Sequence, residues 1–274
     1  MRAFVSPKGI VGGVLVAVFT LVAILSPLAI PANQATRIDI LARLHRPSAM
    51  HWFGTDQLGR ELVWRVLLGA HTSLVIAAAA VILSILIGLP IGVLAGYYRG
   101  WTDHALMRLV ETLLSFSALL LALTISAVLG PNQRNTILAI GIAFAPYLAR
   151  IVRGETLRVI ALPFIEAARS QGATDWRIVR LHVLPNIMAP LIVQATISVA
   201  FAILAEAGLS FLGLGTQPPT PSWGLMIQAS RDYLDVAPWT ALVPGVAIAI
   251  TVLGLNMLGD VLRDVLDPTM AMEG

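Results

Sequence analysis

The sequence predicts an all-α protein that crosses a membrane about six times. Three observations lead to this fold class. Of the 274 residues, 57% are hydrophobic, and only 12% are charged, which is about half the charge of a soluble domain. In addition, the uncharged residues form stretches of about 20 or more, the length that a helix needs to cross the hydrocarbon core. A soluble enzyme, a disordered chain and a nucleic-acid-binding protein are therefore disfavoured, and the net charge of +3 is too small for a phosphate-binding surface.

Five uncharged stretches are long enough to predict spans directly. They are residues 9–30, 71–98, 112–133, 183–205 and 236–259. A sixth stretch, 135–149, is shorter and contains Pro146, and it spans if Arg150 extends to the lipid headgroups. Residues 207–230 are also uncharged, but their many Gly and Pro residues predict a loop or a re-entrant cap. The total is six spans.

Six spans place both termini on one side, and the distribution of Arg and Lys favours the cytoplasm for that side. The predicted organisation then follows in chain order. It consists of a cytoplasmic tail (1–8), a first span (9–30), an outer segment (31–70), a core domain with five spans (71–260) that includes a cytoplasmic loop (154–186) and an outer loop (207–235), and a second cytoplasmic tail (261–274). Within the outer segment, residues 51–65 predict an amphipathic helix lying on the membrane surface.

The few charges are concentrated in residues 150–180, which hold nine of them. This stretch predicts two short helices, because Pro163 suits a first helical position and Gly172 suits the residue after a helix end. Thr174 or Asp175 can cap the second helix, predicted over 176–184. A docking surface for a soluble partner and an ordinary solvated linker are both compatible with these charges.

The same stretch carries a family resemblance. Glu166-Ala167-Ala168, then Gly172, then Leu184-Pro185 match the EAA loop of ABC importer permeases, with His182 where that pattern has Ile. Two further stretches are similar to the same family: residues 51–61, which contain GTDQLGRE where the family has GRD at the end, and residues 209–268. Taken in order, they resemble the C-type permease subunit of dipeptide, oligopeptide and nickel ABC importers.

The resemblance implies a type I ABC importer permease fold in a bacterial inner membrane. Such a subunit forms half of a pore with a second permease subunit, couples to two ATPase subunits and receives substrate from an extracytoplasmic binding protein. By position, the coupling residues would be those of the EAA loop. They are Glu166, Ala167, Ala168, Gly172, Asp175 and Arg177. Peptides are the implied cargo, and nickel, a metal chelate or another small ligand is the alternative.

The chain itself lacks the sequence motifs of common catalytic sites. Its single lysine, Lys8, is followed by Gly9 and not by Ser or Thr, so there is no Walker A motif. There is no cysteine and no H-E-x-x-H pattern. We therefore expect no catalytic residue, no bound metal and no cofactor on this chain, with ATP and Mg²⁺ held by the partner ATPase subunits.

Other residues are candidates for packing or for the transport pathway. Gly88, Gly92 and Gly96 lie four residues apart and predict a helix face that packs closely on a neighbouring span. Glu206 lies near membrane depth, and Trp223 follows in the outer loop, so both are candidates for the outer part of the pathway. A secondary carrier without ATPase partners is the alternative class, but it usually shows two repeated halves, and none is evident here.

Overall fold

The computed structural model describes residues 7–266, and this part of the chain is helical without a β-strand. The predicted tails at 1–8 and 261–274 lie mostly outside it. The α-helices are α1 (Pro7–Ala29), α2 (Ala32–Thr36), α3 (Leu62–Tyr98), α4 (Gly100–Leu114), α5 (Ala118–Leu129), α6 (Gln133–Ile160), α7 (Pro163–Ser170), α8 (Asp175–Ile178), α9 (Leu184–Phe211), α10 (Trp223–Ser230) and α11 (Trp239–Leu266).

Five helical units of the described chain are long and apolar enough to cross a membrane, and a bent pair makes a sixth. The five are α1, α3, α6, the continuous helix Asp175–Phe211 that contains α8 and α9, and α11. The bent pair is α4 with α5, whose axes meet at 87°. This confirms the all-α polytopic fold class with about six spans.

The span predicted over 112–133 is not a single helix, because the chain bends between Leu114 and Ala118. The hydroxyl of Ser115 donates a hydrogen bond to the carbonyl of Thr112 at 2.6 Å, and Ser117 has extended backbone angles at the start of α5. Serine side chains compete with the helical backbone for such carbonyls. The two serines therefore end one helix and begin the next at an elbow.

The sixth predicted stretch, 135–149, lies inside helix α6, which continues to Ile160. The predicted helix 176–184 is likewise not separate from the span that follows it. A π-helical turn over Val179–Val183 joins α8 to α9 immediately before Pro185. Proline has no N–H to donate, so one helical hydrogen bond is missing at Pro185. The wider π-helical turn accommodates this, and the helix continues without a break.

Helices α3 and α6 form the tightest contact, and the three spaced glycines lie in it. A Cβ built at Gly92 would lie 2.5 Å from the carbonyl oxygen of Ala149, and one at Gly88 would lie 2.8 Å from that of Ala145. At Gly96 the nearest atom is the Cβ of Thr156, at 2.7 Å. The backbones of α3 and α6 therefore approach as closely as small residues allow.

The expected surface helix over 51–65 is wrong, because residues 51–61 form turns around one carboxylate. Asp56 accepts hydrogen bonds from the backbone N–H groups of Leu58 (2.8 Å) and Arg60 (3.0 Å). It also pairs with Arg60 Nε at 2.6 Å and with Arg65 Nε at 3.4 Å. Because Arg65 is in the first turns of α3, the GTDxxGR stretch holds the start of that helix, which begins at Leu62.

Candidate functional site

The loop between α6 and α9 folds as the helix caps predict. Pro163 occupies the first turn of α7, and Gly172 has a positive φ of 77° just after its end. The N–H of Gly172 donates to the carbonyl of Arg169 (2.9 Å), and that of Ala173 donates to Ala168 (3.1 Å). This pair of bonds is a Schellman motif, in which the left-handed residue is usually glycine.

The loop has one buried side and one exposed side. Ile165 of α7 and Ile178 of α8 are buried against Val159 at the end of α6 and Val183 before α9. The residues of the predicted coupling set face outward or are half-buried. Exposed are Glu166, Ala167, Gly172, Asp175 and Arg177, while Ala168 is half-buried. The apolar side therefore fixes the loop on the spans, and the side with small and charged residues is exposed.

Tyr97, near the end of α3, is a contact of this loop that the sequence did not predict. Its hydroxyl donates a hydrogen bond to Asp175 Oδ1 at 2.8 Å. The guanidinium of Arg169, in the last turn of α7, lies over the Tyr97 ring at 5.6 Å from its centroid. No sequence pattern relates residues 78 positions apart, so no motif signals this contact.

A cavity of about 510 Å³ lies where the α4–α5 elbow faces α6 and α9. Its wall is mostly apolar and includes Phe116 at the elbow, Phe144 on α6 and Phe201 on α9. A few polar groups interrupt it. They are Ser117, Tyr147, Gln194 and Ser198. The sequence did not predict this wall, because it depends on the bend between α4 and α5.

Glu206 and Trp223 lie inside the subunit, both fully buried. The Glu206 carboxylate accepts hydrogen bonds from Ser73 (3.1 Å) and Ser210 (2.7 Å). Those two hydroxyls in turn accept from the backbone N–H groups of Trp223 and Thr216 in the outer loop, each at 3.2 Å. In this conformation Glu206 and Trp223 connect α3, α9 and the outer loop. Their expected place in the transport pathway remains a prediction.

Residues 7–266 contain no group of three or more His, Asp or Glu side chains placed to hold a metal ion. The end of the spans next to this loop carries a strong ion pair instead. Arg153 of α6 donates from Nε and one amino nitrogen to both carboxylate oxygens of Asp103 in α4, at 2.5 and 2.6 Å. This bidentate pair joins the elbow helix to the α3–α6 pair.

Residues 7–266 form a polytopic helical subunit in which the loop between α6 and α9 has one exposed side of small and charged residues. Residues 88–272 match the family described as the binding-protein-dependent transport system inner membrane component, and the chain belongs to that family. It is therefore a multi-pass inner-membrane transporter subunit and not an enzyme.

Curated relatives carry names of the same kind. The chain is 44% identical to the dipeptide transport system permease protein DppC of Alkalihalophilus pseudofirmus, over 95% of this chain and 86% of that protein. It is 39% identical to the probable D,D-dipeptide transport system permease protein DdpC of Escherichia coli K12, over 96% and 88%. It is 43% identical to the glutathione transport system permease protein GsiD of Pectobacterium atrosepticum, over 82% and 74%.

Among solved structures, the chain is similar to one from the MetNI methionine ABC transporter in inward facing conformations. The TM-score is 0.64, the identity is 21%, and the match covers 75% of this chain and 98% of that one. At this identity the likeness concerns the fold. It supports the predicted permease-like arrangement of the spans.

Gly172 provides a test of the loop that depends on backbone angle alone. No atom lies within 4 Å of a Cβ built there, so a side chain fits, but the positive φ costs a β-branched residue about 1–2 kcal/mol. We expect Gly172→Val to lower ATP-dependent uptake roughly tenfold, since 1.4 kcal/mol is a factor of ten. Gly172→Asn is the matched control, because Asn tolerates this region, and equal uptake by both variants would contradict the prediction.

Proposed function

We propose that this chain forms one half of the translocation pathway of an ABC importer for short peptides. The observation that supports this best is the loop 161–174, whose apolar side is packed on the spans while Glu166, Ala167 and Gly172 are exposed. In this proposal a second, different permease subunit completes the pore, and ATPase subunits bind the exposed side of the loop. The chain contributes no covalent chemistry, and ATP with Mg²⁺ is bound by those partners.

The cavity at the α4–α5 elbow is the proposed contribution of this chain to the pathway. Its wall combines apolar side chains with the polar groups of Ser117, Tyr147 and Gln194. A surface with few strong binding groups suits a pathway, because cargo must leave it as easily as it enters. Closure against the second permease subunit would convert this open wall into an enclosed route.

Peptides are the proposed cargo, delivered by an extracytoplasmic binding protein. The relatives that support this are named for dipeptide, D,D-dipeptide and glutathione transport. The proposed orientation places the loop 161–174 and both termini in the cytoplasm, which agrees with the concentration of charge in residues 150–180.

The test is reconstitution of the complete transporter. The tagged chain is purified from its own membrane with the subunits that remain bound, and is placed in vesicles with its extracytoplasmic binding protein. We expect uptake of labelled dialanine or trialanine that requires ATP and the binding protein. Uptake that persists without ATPase subunits would contradict the proposal, and uptake of nickel in place of peptides would reject the cargo while keeping the transporter class.

A further inference from the structure

Besides its apolar packing, the cytoplasmic loop is joined to the spans at three places, and only two of these follow from chain connectivity. A two-residue link after Ile160 joins α7 to α6, and the helix Asp175–Phe211 joins α8 directly to α9. The third is Tyr97 of α3, which reaches the loop through Asp175 and Arg169. These three residues are called the Tyr97 latch below.

The Tyr97 latch spans the turn between the two loop helices. Arg169 is in the last turn of α7, and Asp175 is the first residue of α8. Tyr97 itself is only 6% exposed and packs in the same apolar cluster as Ile165 and Ile178. The buried Tyr97 side chain therefore contacts both helices of the loop. Its ring lies under the Arg169 guanidinium of α7, and its hydroxyl donates to the Asp175 carboxylate of α8.

Tyr97 also lies beside the close backbone contact between α3 and α6. It follows Gly96, where a Cβ would lie 2.7 Å from the Cβ of Thr156 in α6. The close backbone contact along α3 and α6 leaves little freedom for one helix to slide along the other. If the loop moves and Tyr97 moves with it, α3 and α6 should therefore move together.

Helix α6 of the α3–α6 pair forms part of the cavity wall. Phe144 and Tyr147 of α6 line the cavity, opposite residues of α9, and Arg153 of α6 holds the elbow helix α4 through Asp103. Moving α6 relative to α9 would change the width of the cavity. Connectivity links the loop to α6 and α9, whereas its polar contact with α3 depends on Tyr97.

We propose that Tyr97 is a positioning residue for transport coupling, which joins α3 directly to the cytoplasmic loop so that α3 and α6 move with the loop as a pair. The inference rests on the proposed function, because the loop must be the site at which ATPase closure is received. Without the latch, we expect ATP hydrolysis to continue while less substrate is transported for each ATP hydrolysed.

The test compares two adjacent tyrosines in the reconstituted complete transporter. Tyr97→Phe removes the hydroxyl and keeps the ring under Arg169, while Tyr98→Phe makes the same change at a side chain that is 55% exposed. We expect Tyr97→Phe to lower trialanine uptake per ATP hydrolysed roughly fivefold, the low end of typical coupling between sites. Tyr98→Phe should match the wild type in both uptake and hydrolysis.

Asp175 supplies an independent arm of the same test. Asp175→Ala should lower uptake per ATP hydrolysed as much as Tyr97→Phe does. The double variant should be no worse than either single variant, because both substitutions remove the same hydrogen bond. Asp175→Asn retains an acceptor oxygen and should restore most of the coupling. Additive losses would overturn the latch, as would an unchanged ratio in Tyr97→Phe. A Tyr97→Phe subunit that fails to assemble would also overturn it, since the hydroxyl would then serve folding.

Failure of the latch and failure of the proposed function give different results. If Gly172→Val uncouples transport in the same vesicles and Tyr97→Phe does not, only the latch is rejected. If Gly172→Val and Tyr97→Phe both leave coupling intact, the loop is not the coupling site and both are rejected.

Discussion

Gly92→Leu is expected to prevent the subunit from folding into a stable form. A Cβ at this position would lie 2.5 Å from the Ala149 carbonyl oxygen and 2.7 Å from the Val152 Cβ. Since the first of these atoms is backbone of α6, it cannot move aside as the end of a flexible side chain can. Overpacking in cores usually costs about 1–3 kcal/mol, and a leucine that separates two helices should exceed that range.

The measurement is the yield of monodisperse subunit after extraction in mild detergent, together with its thermal unfolding. Gly245→Leu is the matched control, because Gly245 is also inside a spanning helix and no atom lies within 4 Å of a Cβ built there. We expect the control to resemble the wild type. A Gly92→Leu subunit of normal yield and stability would mean that α3 and α6 do not pack as described.

Glu206→Ala is expected to release the outer loop from the spans. The substitution removes the acceptor for the Ser73 and Ser210 hydroxyls, which lie in a fully buried region. A buried hydroxyl left unpaired costs about 1–3 kcal/mol, and the lost side-chain volume adds a cavity cost. The backbone N–H groups of Thr216 and Trp223, which donate to those serines, should lose their protection.

Hydrogen exchange at the Thr216 and Trp223 amides measures this loosening directly. Glu111→Ala serves as the control, because Glu111 is exposed near the end of α4. We expect faster exchange at both amides in Glu206→Ala and no change in the control. Unchanged exchange in Glu206→Ala would show that the carboxylate does not hold the loop.

Glu206→Gln separates this structural role from the predicted role in the pathway. Glutamine keeps the size of the side chain and one acceptor oxygen, so the loop should stay in place. A stable Glu206→Gln subunit that has lost peptide uptake would support a pathway role. Normal uptake would leave Glu206 as the anchor of the outer loop alone.

The helix boundaries in the loop between α6 and α9 follow from local sequence. Pro163 and Gly172 predicted the beginning and the end of α7, and the structure places them at those positions. The reason is that caps depend on the backbone angles and hydrogen bonds of a few adjacent residues. The bend at Ser115–Ser117 was missed because the uncharged stretch 112–133 has the hydropathy of a straight span, whereas a broken span depends on what supports its irregular backbone.

Sequence by itself determined the all-α membrane fold, the helix caps of the loop between α6 and α9, and a glycine face on α3. These features follow from hydropathy, proline and glycine chemistry and four-residue spacing, all of which act within one helix. Only the tertiary structure decided that the glycine face meets α6, that Glu206 is buried among serines, and that Tyr97 reaches Asp175. Those contacts join residues far apart in the chain, so they depend on how whole helices pack and not on any local pattern.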